Sequence, residues 1–548
     1  MRFQIIVPPI RKEYGKVPPY GALSIARALH DDGHHIALID ADLERLIDNM
    51  ILDRIKEFNP DIIGFTSIVA TSYKFIKRLS LIIKKRFPEK KIILGGHLSP
   101  VWNTLLQSTG VDIVVDGEGE VAVVELFDAL QSNTSLQEVP SLAFREGNKL
   151  ITTRPAPSIR DLDKLGYPLF EILDMKSYLF DAYSSSNYLD NFRRHPDFVS
   201  IYKDYPNVFS VVFTRGCIRR CTFCHRHYIG FRSPSPNYIL DYLEYLQKTY
   251  KVGFFYFSNE LTCPNVNSHL RFIEEIRNRK INGFKFLFSI GGLVVNLMTR
   301  EVLKGYKEVG AVRADVGYET GSQKMLDIME KNTTVEININ AAGFANEFNL
   351  YNAGNIVLGL PGETADTILE TADFLDRAAL IPAVNYVQAL PGSAIYEYAK
   401  LKNIIVDEDR YLESVSNTDA GDISHYINYT DSNYLEVIQW RRFLITVLRY
   451  RQIKRKYGFI IGIIFLFLAS GYVILNSVRK CFSVFLKENI TKESFQHVKN
   501  ELISSPYFLK LIITKGFRRQ LDLSKSARVK ERGESLRKTI LYLKENIT

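Results

Sequence analysis

Three of the five cysteines in this 548-residue chain fall within eight residues, Cys217-Ile-Arg-Arg-Cys221-Thr-Phe-Cys224, at a spacing of C-x3-C-x2-C. Thiolates packed this closely are soft ligands, suited to an iron–sulfur cluster or to zinc. A structural zinc site needs a fourth ligand, and His225 and His227 are near enough to supply it. A four-iron cluster held by three cysteines instead leaves one iron open to a substrate or cofactor. A disulfide is the third reading of the same residues.

Flanking segments set the architecture. Upstream, short apolar runs alternate with amphipathic stretches: strands at Phe3–Val7, His35–Ile39, Ile62–Phe65, Ile92–Leu94 and Val111–Val115, and helices at Gly21–His30, Leu43–Phe58, Ser72–Arg86 and Glu118–Leu130. Such alternation predicts an α/β, doubly wound, Rossmann-like parallel sheet over residues 1–137. Its ligands sit at the carboxyl ends of the strands, here Pro8–Tyr20, Thr66–Thr71, Gly95–Pro100 and Asp116–Gly119. No G-x-G-x-x-G follows the first strand, so a dinucleotide site is not supported. Residues 138–200 form a linker with a hairpin, Val139–Arg145 and Lys149–Thr153, around Glu146-Gly-Asn.

From residue 201 to 400 the alternation resumes. Strands are expected at Phe209–Thr214, 253–257, 284–288, 312–318, 353–358 and 384–389, with helices at 236–250, 265–279, 299–309, 335–348 and 364–378. Six strands fall short of the eight of a closed barrel. Polar residues at their ends are the site candidates.

The cysteine motif, with Phe223 at the aromatic position, resembles the C-x3-C-x-Φ-C signature of radical S-adenosylmethionine (SAM) enzymes. The fold that family implies is a partial (β/α)6 barrel. Further pieces carry the resemblance: Gly317-Tyr-Glu-Thr-Gly-Ser322, Asn355-Ile-Val-Leu-Gly-Leu-Pro-Gly-Glu-Thr364 and Gln388-Ala-Leu-Pro-Gly-Ser393. It implies that Cys217, Cys221 and Cys224 hold a 4Fe–4S cluster whose open iron binds SAM, and that Glu319 holds the ribose hydroxyls. Asn355 and Ser289, and less directly Glu260, complete the expected SAM surroundings. Ser258 and Asn259 stand where relatives often show Asp. Glu363 reads as an acid favoured by a helix N-terminus.

The first domain resembles the cobalamin-binding domain found ahead of many such barrels, through Pro18-Pro-Tyr-Gly-Ala-Leu23, Asp32-Gly-His-His-Ile-Ala-Leu-Ile-Asp40, Gly64-Phe-Thr-Ser67, Gly95-Gly-His97 and Asp116-Gly-Glu-Gly-Glu120. The contacts it implies are Thr66, Ser67, Gly95, Gly96, His97 and Gly117. No D-x-H-x-x-G is present, so cobalamin is expected base-off, without a histidine from that motif. His34 and His35 read as a solvated turn. A sheet that has lost cobalamin and serves as scaffold is the competing expectation.

Charge is unevenly placed. Residues 441–548 hold 23 Lys and Arg against 7 Asp and Glu, while the whole chain is +9. A basic tail of this kind predicts an anionic partner. Within the helical region 401–548, residues 457–478 carry no charge over 22 positions. That is long enough to cross a hydrocarbon core of about 30 Å, and basic residues flank both ends, so spanning, interfacial and buried states are all open. No nucleic-acid module accompanies the basic residues. Isolated Cys263 and Cys481 and the lack of an apolar leader predict a reducing, cytoplasmic setting with possible attachment to a membrane surface.

The resemblance therefore implies an enzyme using a 4Fe–4S cluster, SAM and cobalamin. Its family's commonest chemistry is methylation of an unactivated carbon, here on a hydrophobic, lipid- or pigment-like molecule. The alternative is oxidative ring closure of the anaerobic magnesium-protoporphyrin ester type. A non-catalytic cobalamin- and cluster-binding regulator is the reading from another class. An electron donor such as flavodoxin or ferredoxin is the implied partner, and Arg215, Arg219 and Arg220 are candidates either to meet it, to bias the cluster or to form a solvated basic loop.

Overall fold

The computed structural model describes residues 1–10, 17–184, 189–226, 228, 230–416, 426–469, 471 and 492–515. Fourteen strands among these residues form two sheets. The first comprises β1 (Arg2–Val7), β2 (His35–Asp40), β3 (Ile62–Ser67), β4 (Lys91–Gly96), β5 (Ile113–Val115), β6 (Leu142–Glu146) and β7 (Lys149–Thr152), in the spatial order 2-1-3-4-5-6-7. Strands β1 to β5 pair in parallel. The hairpin β6–β7 adds antiparallel to β5, so the first sheet runs on to Thr152 and the hairpin is its edge rather than part of the crossing. The strand order reverses between β1 and β3, the topological position where such sheets open a crevice for ligands.

The second sheet comprises β8 (Phe180–Asp181), β9 (Asn207–Val211), β10 (Val252–Phe257), β11 (Leu287–Leu293), β12 (Ala311–Glu319), β13 (Ala353–Leu358) and β14 (Ile381–Tyr386), each beside its sequence neighbour. β9 to β14 are parallel with a helix in each crossover, the partial barrel expected from the alternation; β8 joins the edge antiparallel. Helix starts carry their own chemistry. Ser235 caps Pro236–Tyr250, whose first residue is the proline that a helix tolerates there. Thr364 and Thr367 cap the helix Ala365–Arg377 reciprocally.

Several elements depart from the sequence reading for local reasons. The helix expected over Leu43–Phe58 breaks into Ala41–Glu44 and Asp48–Phe58, because Arg45 adopts a left-handed conformation (φ 52°) that ends the first turn. β11 starts three residues later than expected: Phe284 and Phe286 are buried before the strand begins, so the apolar run is not itself the strand. β14 starts three residues earlier than expected. It includes Pro382, which an edge strand accepts because the missing N–H faces no neighbour. His34 is buried, hydrogen-bonded to the Met1 amino group and tilted onto Phe127, so only His35 is the solvated member of that pair.

The two sheets share one continuous apolar core. Phe170, on the linker, stacks on Tyr242 and meets Phe209 edge-on, while the Tyr20 hydroxyl donates to the Ser210 carbonyl at 2.6 Å. A second junction comes from the helix Glu408–Ser414. Glu408 receives hydrogen bonds from Thr104 of the first domain and from Tyr396 and Lys400 of the barrel. Asp409 takes Tyr73 and Lys77. This short helix clasps the first domain to the end of the barrel.

Part of the basic tail pairs with acids inside the chain. Arg451 pairs with Asp373, Arg455 with Asp376 and Lys515 with Asp366, all on the barrel helix Ala365–Arg377. The tail helix Trp440–Tyr457 lies along that helix and buries Trp440, Phe443, Leu444 and Val447. Among the described residues no helix is long and apolar enough to cross a membrane, and the segment 457–478 is only partly among them. Residues 459–469 are helical and leave Phe459, Ile460, Ile464, Phe467 and Leu468 exposed. Residues 470 and 472–478 of that segment, and Cys481, lie outside the described residues.

The clasp makes an expected outcome measurable. Burial raises the Glu408 carboxyl, but the bonds from Thr104, Lys400 and Tyr396 together hold it below the ordinary carboxylate range. A group depressed on folding stabilises above its unfolded pKa of about 4.3 and loses that contribution as pH falls below it. Glu408→Ala should therefore cost about 2 kcal/mol at pH 7 and markedly less at pH 3.5, read by urea denaturation at both values. An equal loss at the two pH values would rule out the clasp as an ionic contact.

Candidate active site

The cysteine loop leaves β9 and is fixed before its first thiol. Asn259 Oδ1 accepts the N–H groups of Phe213 (2.9 Å) and Thr214 (3.3 Å), and the Thr214 hydroxyl donates to the Leu261 carbonyl at 2.7 Å. Asn259 thus holds the loop by uncharged amide bonds. Arg215 and Arg232 exchange backbone hydrogen bonds of 2.9 and 3.0 Å, which pin both ends of the loop together. Gly216 needs its φ of 73°, and a side chain there would strike the Gly230 carbonyl. On the far side Thr222 N–H donates to the Met329 carbonyl (3.0 Å), and the Thr222 carbonyl accepts Ile395 N–H (3.0 Å).

Cys217 and Cys221 are half-buried and Cys224 is exposed, and none is in a disulfide. The three thiols are coupled electrostatically to one another, and Cys224 also to Glu260 and Glu319. Burial pushes the Cys221 thiol up. Among the described residues no three His, Cys, Asp or Glu side chains converge as they would round a single metal ion. Cluster thiolates each bind a different iron and so need not converge on one point. His225 does not complete a zinc shell: its Nδ1 contacts the Pro391 carbonyl at 2.5 Å and its ring packs on His97. His227 lies outside the described residues.

Glu319 closes β12 with φ 65° and is joined by Lys331, whose ammonium donates at 2.9 Å. Lys331 was not singled out in the sequence; the signal is that a carboxylate ending an apolar strand requires a counter-charge. Phe223 packs half-buried against the core. Glu260 accepts the Gly216 N–H. Asn355 donates to the Val316 carbonyl at 3.1 Å, across to β12. Ser289 does not end its strand: it is the third residue of β11, buried, with its hydroxyl 3.5 Å from Asp315. Glu363 precedes the helix cap and is buried, accepting Gly359 N–H, and burial raises its carboxyl to about 8. It does stand at the helix N-terminus, directly before the Thr364 cap, but as an enclosed acid of the loop.

At the switch point of the first sheet a cleft with about 110 Å³ of free space is lined by Phe3, Thr66, Gly95, Gly96, Gly117 and Tyr228, among others. At Gly21 and Gly117 a side-chain carbon would meet nothing within 4 Å, so the small residues leave an open cradle. Ser67 and His97 stand outside this lining. The Ser67 hydroxyl donates to the Gly95 carbonyl (2.8 Å) and accepts Leu98 N–H (3.0 Å), which braces the turn after β4. Gly96, at φ 97°, comes so close that a side-chain carbon would lie 2.5 Å from the Ser67 carbonyl oxygen.

Cleft and cysteine loop share a wall. Arg215 pairs with Glu118 and Glu120, and Arg232 with Glu118. These side chains are 7–13 % exposed. Burial opposes the Glu120 charge, but Arg215 and the Ser24 hydroxyl hold its carboxyl below the usual range. Arg215 is therefore neither a solvated charge nor a docking group, and Arg219 reaches the Lys331 and Asn332 carbonyls. Tyr228 lines the cleft beneath both guanidinium groups, 5.4 and 5.7 Å from its ring.

Comparison with known proteins places these features. Residues 8–127 match the B12 binding domain and residues 211–375 the radical SAM superfamily. The anaerobic magnesium-protoporphyrin IX monomethyl ester cyclase of Cereibacter sphaeroides is 27% identical over 65% of this chain and 56% of its own length, so the chain spans little more than half of that relative. The hopanoid C-3 methylase of Methylococcus capsulatus is 23% identical over 63% of this chain and 62% of its own. The solved structure of the cobalamin-dependent SAM radical enzyme OxsB, with aqua-cobalamin and SAM bound, superposes with a TM-score of 0.61 at 16% identity over 97% of this chain and 83% of that one. The two domains bring a 4Fe–4S cluster, SAM and cobalamin as cofactors, and the unpaired thiols, the Glu319 carboxylate and the glycine cradle fit them.

Removing Arg215 would leave Glu120 buried without its cationic partner and Glu118 with Arg232 alone. Breaking such a group costs about 3–5 kcal/mol, so Arg215→Ala should lower stability by that amount in chemical denaturation. A loss below about 1 kcal/mol, the range of exposed pairs, would show that the junction is solvated.

Proposed function

We propose, from the premise that this chain belongs to the radical SAM enzymes carrying a B12-binding domain, that it methylates an unactivated carbon of a hydrophobic substrate. The observation that carries the reading is the shared wall: Tyr228, from the cysteine loop, also lines the glycine-rich cleft. When bound, the cluster and SAM supply a hydrogen-abstracting 5′-deoxyadenosyl radical and cobalamin supplies a transferable methyl group. Everything else falls to the chain's own side chains.

Cys217, Cys221 and Cys224 hold three irons. Glu319 takes the SAM ribose hydroxyls, since a carboxylate accepts several hydrogen bonds at once. Glu260 and Asn355 border that site, and Phe223 packs behind the thiols. Thr66, Gly95, Gly96 and Gly117 form the corrin floor, with Ser67 and His97 holding the turn that shapes it. Exposed Arg220 and Arg226 lie beside the thiols and suit an acidic one-electron donor of the flavodoxin or ferredoxin kind. The porphyrin and hopanoid named for the two relatives support a large apolar substrate.

Ring-forming oxidation is the second reading, favoured by the similarity to the cyclase. The two separate cleanly. Anaerobic turnover of reconstituted protein with methyl-deuterated SAM, reductant and a hydrophobic extract should yield 5′-deoxyadenosine and a product three deuterons heavier. Cys221→Ser should give neither. Deoxyadenosine without label in any product would replace methylation by cyclisation, and no deoxyadenosine from cluster-loaded protein would end the enzymatic reading.

A hydrophobic substrate suits a protein that meets a lipid surface. The helix 459–469 presents Phe459, Ile460, Ile464, Phe467 and Leu468 beside exposed Arg449, Lys454 and Lys456. Apolar and cationic groups together match an anionic bilayer. The full chain should sediment with phosphatidylcholine–phosphatidylglycerol vesicles, and Ile460→Glu/Phe467→Glu should lose at least tenfold in partitioning. Equal partitioning of both proteins would remove this helix from any lipid contact.

A further inference from the structure

The turn that carries Lys331 is built with unusual care. Glu330 and Asn332, on either side, both adopt left-handed backbone (φ 52° and 50°), and Glu319 opposite them does too (φ 65°). Three such residues, none a glycine, cost free energy that the surroundings must offset. The offsets are visible. Lys331 N–H donates to the Leu326 carbonyl (3.0 Å), and Asn296 donates to the Asn332 carbonyl (3.0 Å). Arg219 donates to the carbonyls of Lys331 (3.3 Å) and Asn332 (3.4 Å), and Thr222 grips Ile328 and Met329. Arg219 and Thr222 both belong to the cysteine loop, so the turn and the thiols move as one piece.

The product of this construction is a largely buried ammonium, 16 % exposed, on a carboxylate that is 12 % exposed. Gly317 makes the room: a side-chain carbon there would run into the Glu319 carboxylate and lie 3.4 Å from Lys331 Nζ. Burial opposes the Lys331 charge, but the Glu319 carboxylate it touches at 2.9 Å holds it protonated. Arg219, whose backbone N–H donates to Cys217 Sγ at 3.4 Å, ties this ion pair directly to the thiol loop.

We propose that Lys331 is a positioning residue that sets two properties of the site at once: it fixes the Glu319 carboxylate for the SAM ribose, and it presents a permanent positive charge to the cluster thiolates so that the cluster accepts its electron more readily. This rests on the reading of Cys217, Cys221 and Cys224 as cluster ligands. Reduction adds one electron, from a low-potential donor, to a group already surrounded by thiolate charge. A cation fixed within a poorly solvated pocket favours the reduced form, and a nearby anion disfavours it. Lys331 and Glu319 must therefore act on the midpoint potential with opposite signs, although they belong to one ion pair.

The test is a redox titration of anaerobically reconstituted full-length protein without SAM, followed by EPR of the reduced cluster. Wild type, Lys331→Met, Lys331→Arg and Glu319→Gln are compared at equal iron content, with thermal melts to confirm folding. Lys331→Met should shift the midpoint to more negative potential, Lys331→Arg should restore it, and Glu319→Gln should shift it the opposite way. Both Lys331→Met and Glu319→Gln should weaken SAM binding at least tenfold. A general loosening of the turn would move both variants in one direction and would overturn the proposal, as would cluster-loaded Lys331→Met with an unchanged midpoint. Wild-type protein that takes up no cluster would instead defeat the ligand reading on which the proposal rests.

Discussion

The buried charge group of Arg215, Arg232, Glu118 and Glu120 is the interaction on which the rest of the structure depends. Two arginines come from the two ends of the cysteine loop and two carboxylates from the turn and helix that follow β5. Each side chain is costly to desolvate alone. Their opposite charges meet only when the first domain and the barrel come together in one register. The same contact closes the cysteine loop, because Arg215 and Arg232 also exchange backbone hydrogen bonds. Positioning of the thiols and docking of the glycine-rich cleft are therefore one event in the fold.

From that junction the site extends in two directions. Toward the first sheet, Tyr228 lies under both guanidinium groups and forms part of the cleft wall. Toward the barrel, Thr222 and Arg219 tie the loop to the turn bearing Lys331, which in turn holds Glu319 at the end of β12. The helix Glu408–Ser414 and the shared aromatic core at Phe170 keep this geometry from outside the site. The basic tail closes the barrel side by pairing with Asp366, Asp373 and Asp376.

Much of the fold was legible because period-two and period-3.6 patterns are local. The helix Pro236–Tyr250 and the strand Ala353–Leu358 coincide with their apolar runs. The motif residues stood out because their chemistry is concentrated: three thiols in one loop, and Glu319 after an apolar strand. What was hidden depends on distant partners. Arg215 reads as one more loop cation until Glu120, 95 positions away, is brought against it. Lys331 is silent for the same reason, and Asn259 looked like a departure from an acidic pattern until its amide was seen to hold the loop backbone. The tail's charge pointed outward on composition alone, whereas Arg451, Arg455 and Lys515 meet acids on a barrel helix.

The central claim is that the cluster and the corrin occupy neighbouring sites across the wall formed by Tyr228 and Arg215. EPR of bound cob(II)alamin, recorded anaerobically before and after reduction of the cluster, tests it most directly. Adjacent sites predict broadening and faster relaxation of the cobalt signal when the cluster becomes paramagnetic. A cobalt signal unaltered by full cluster reduction, in protein that retains both cofactors, would contradict the account.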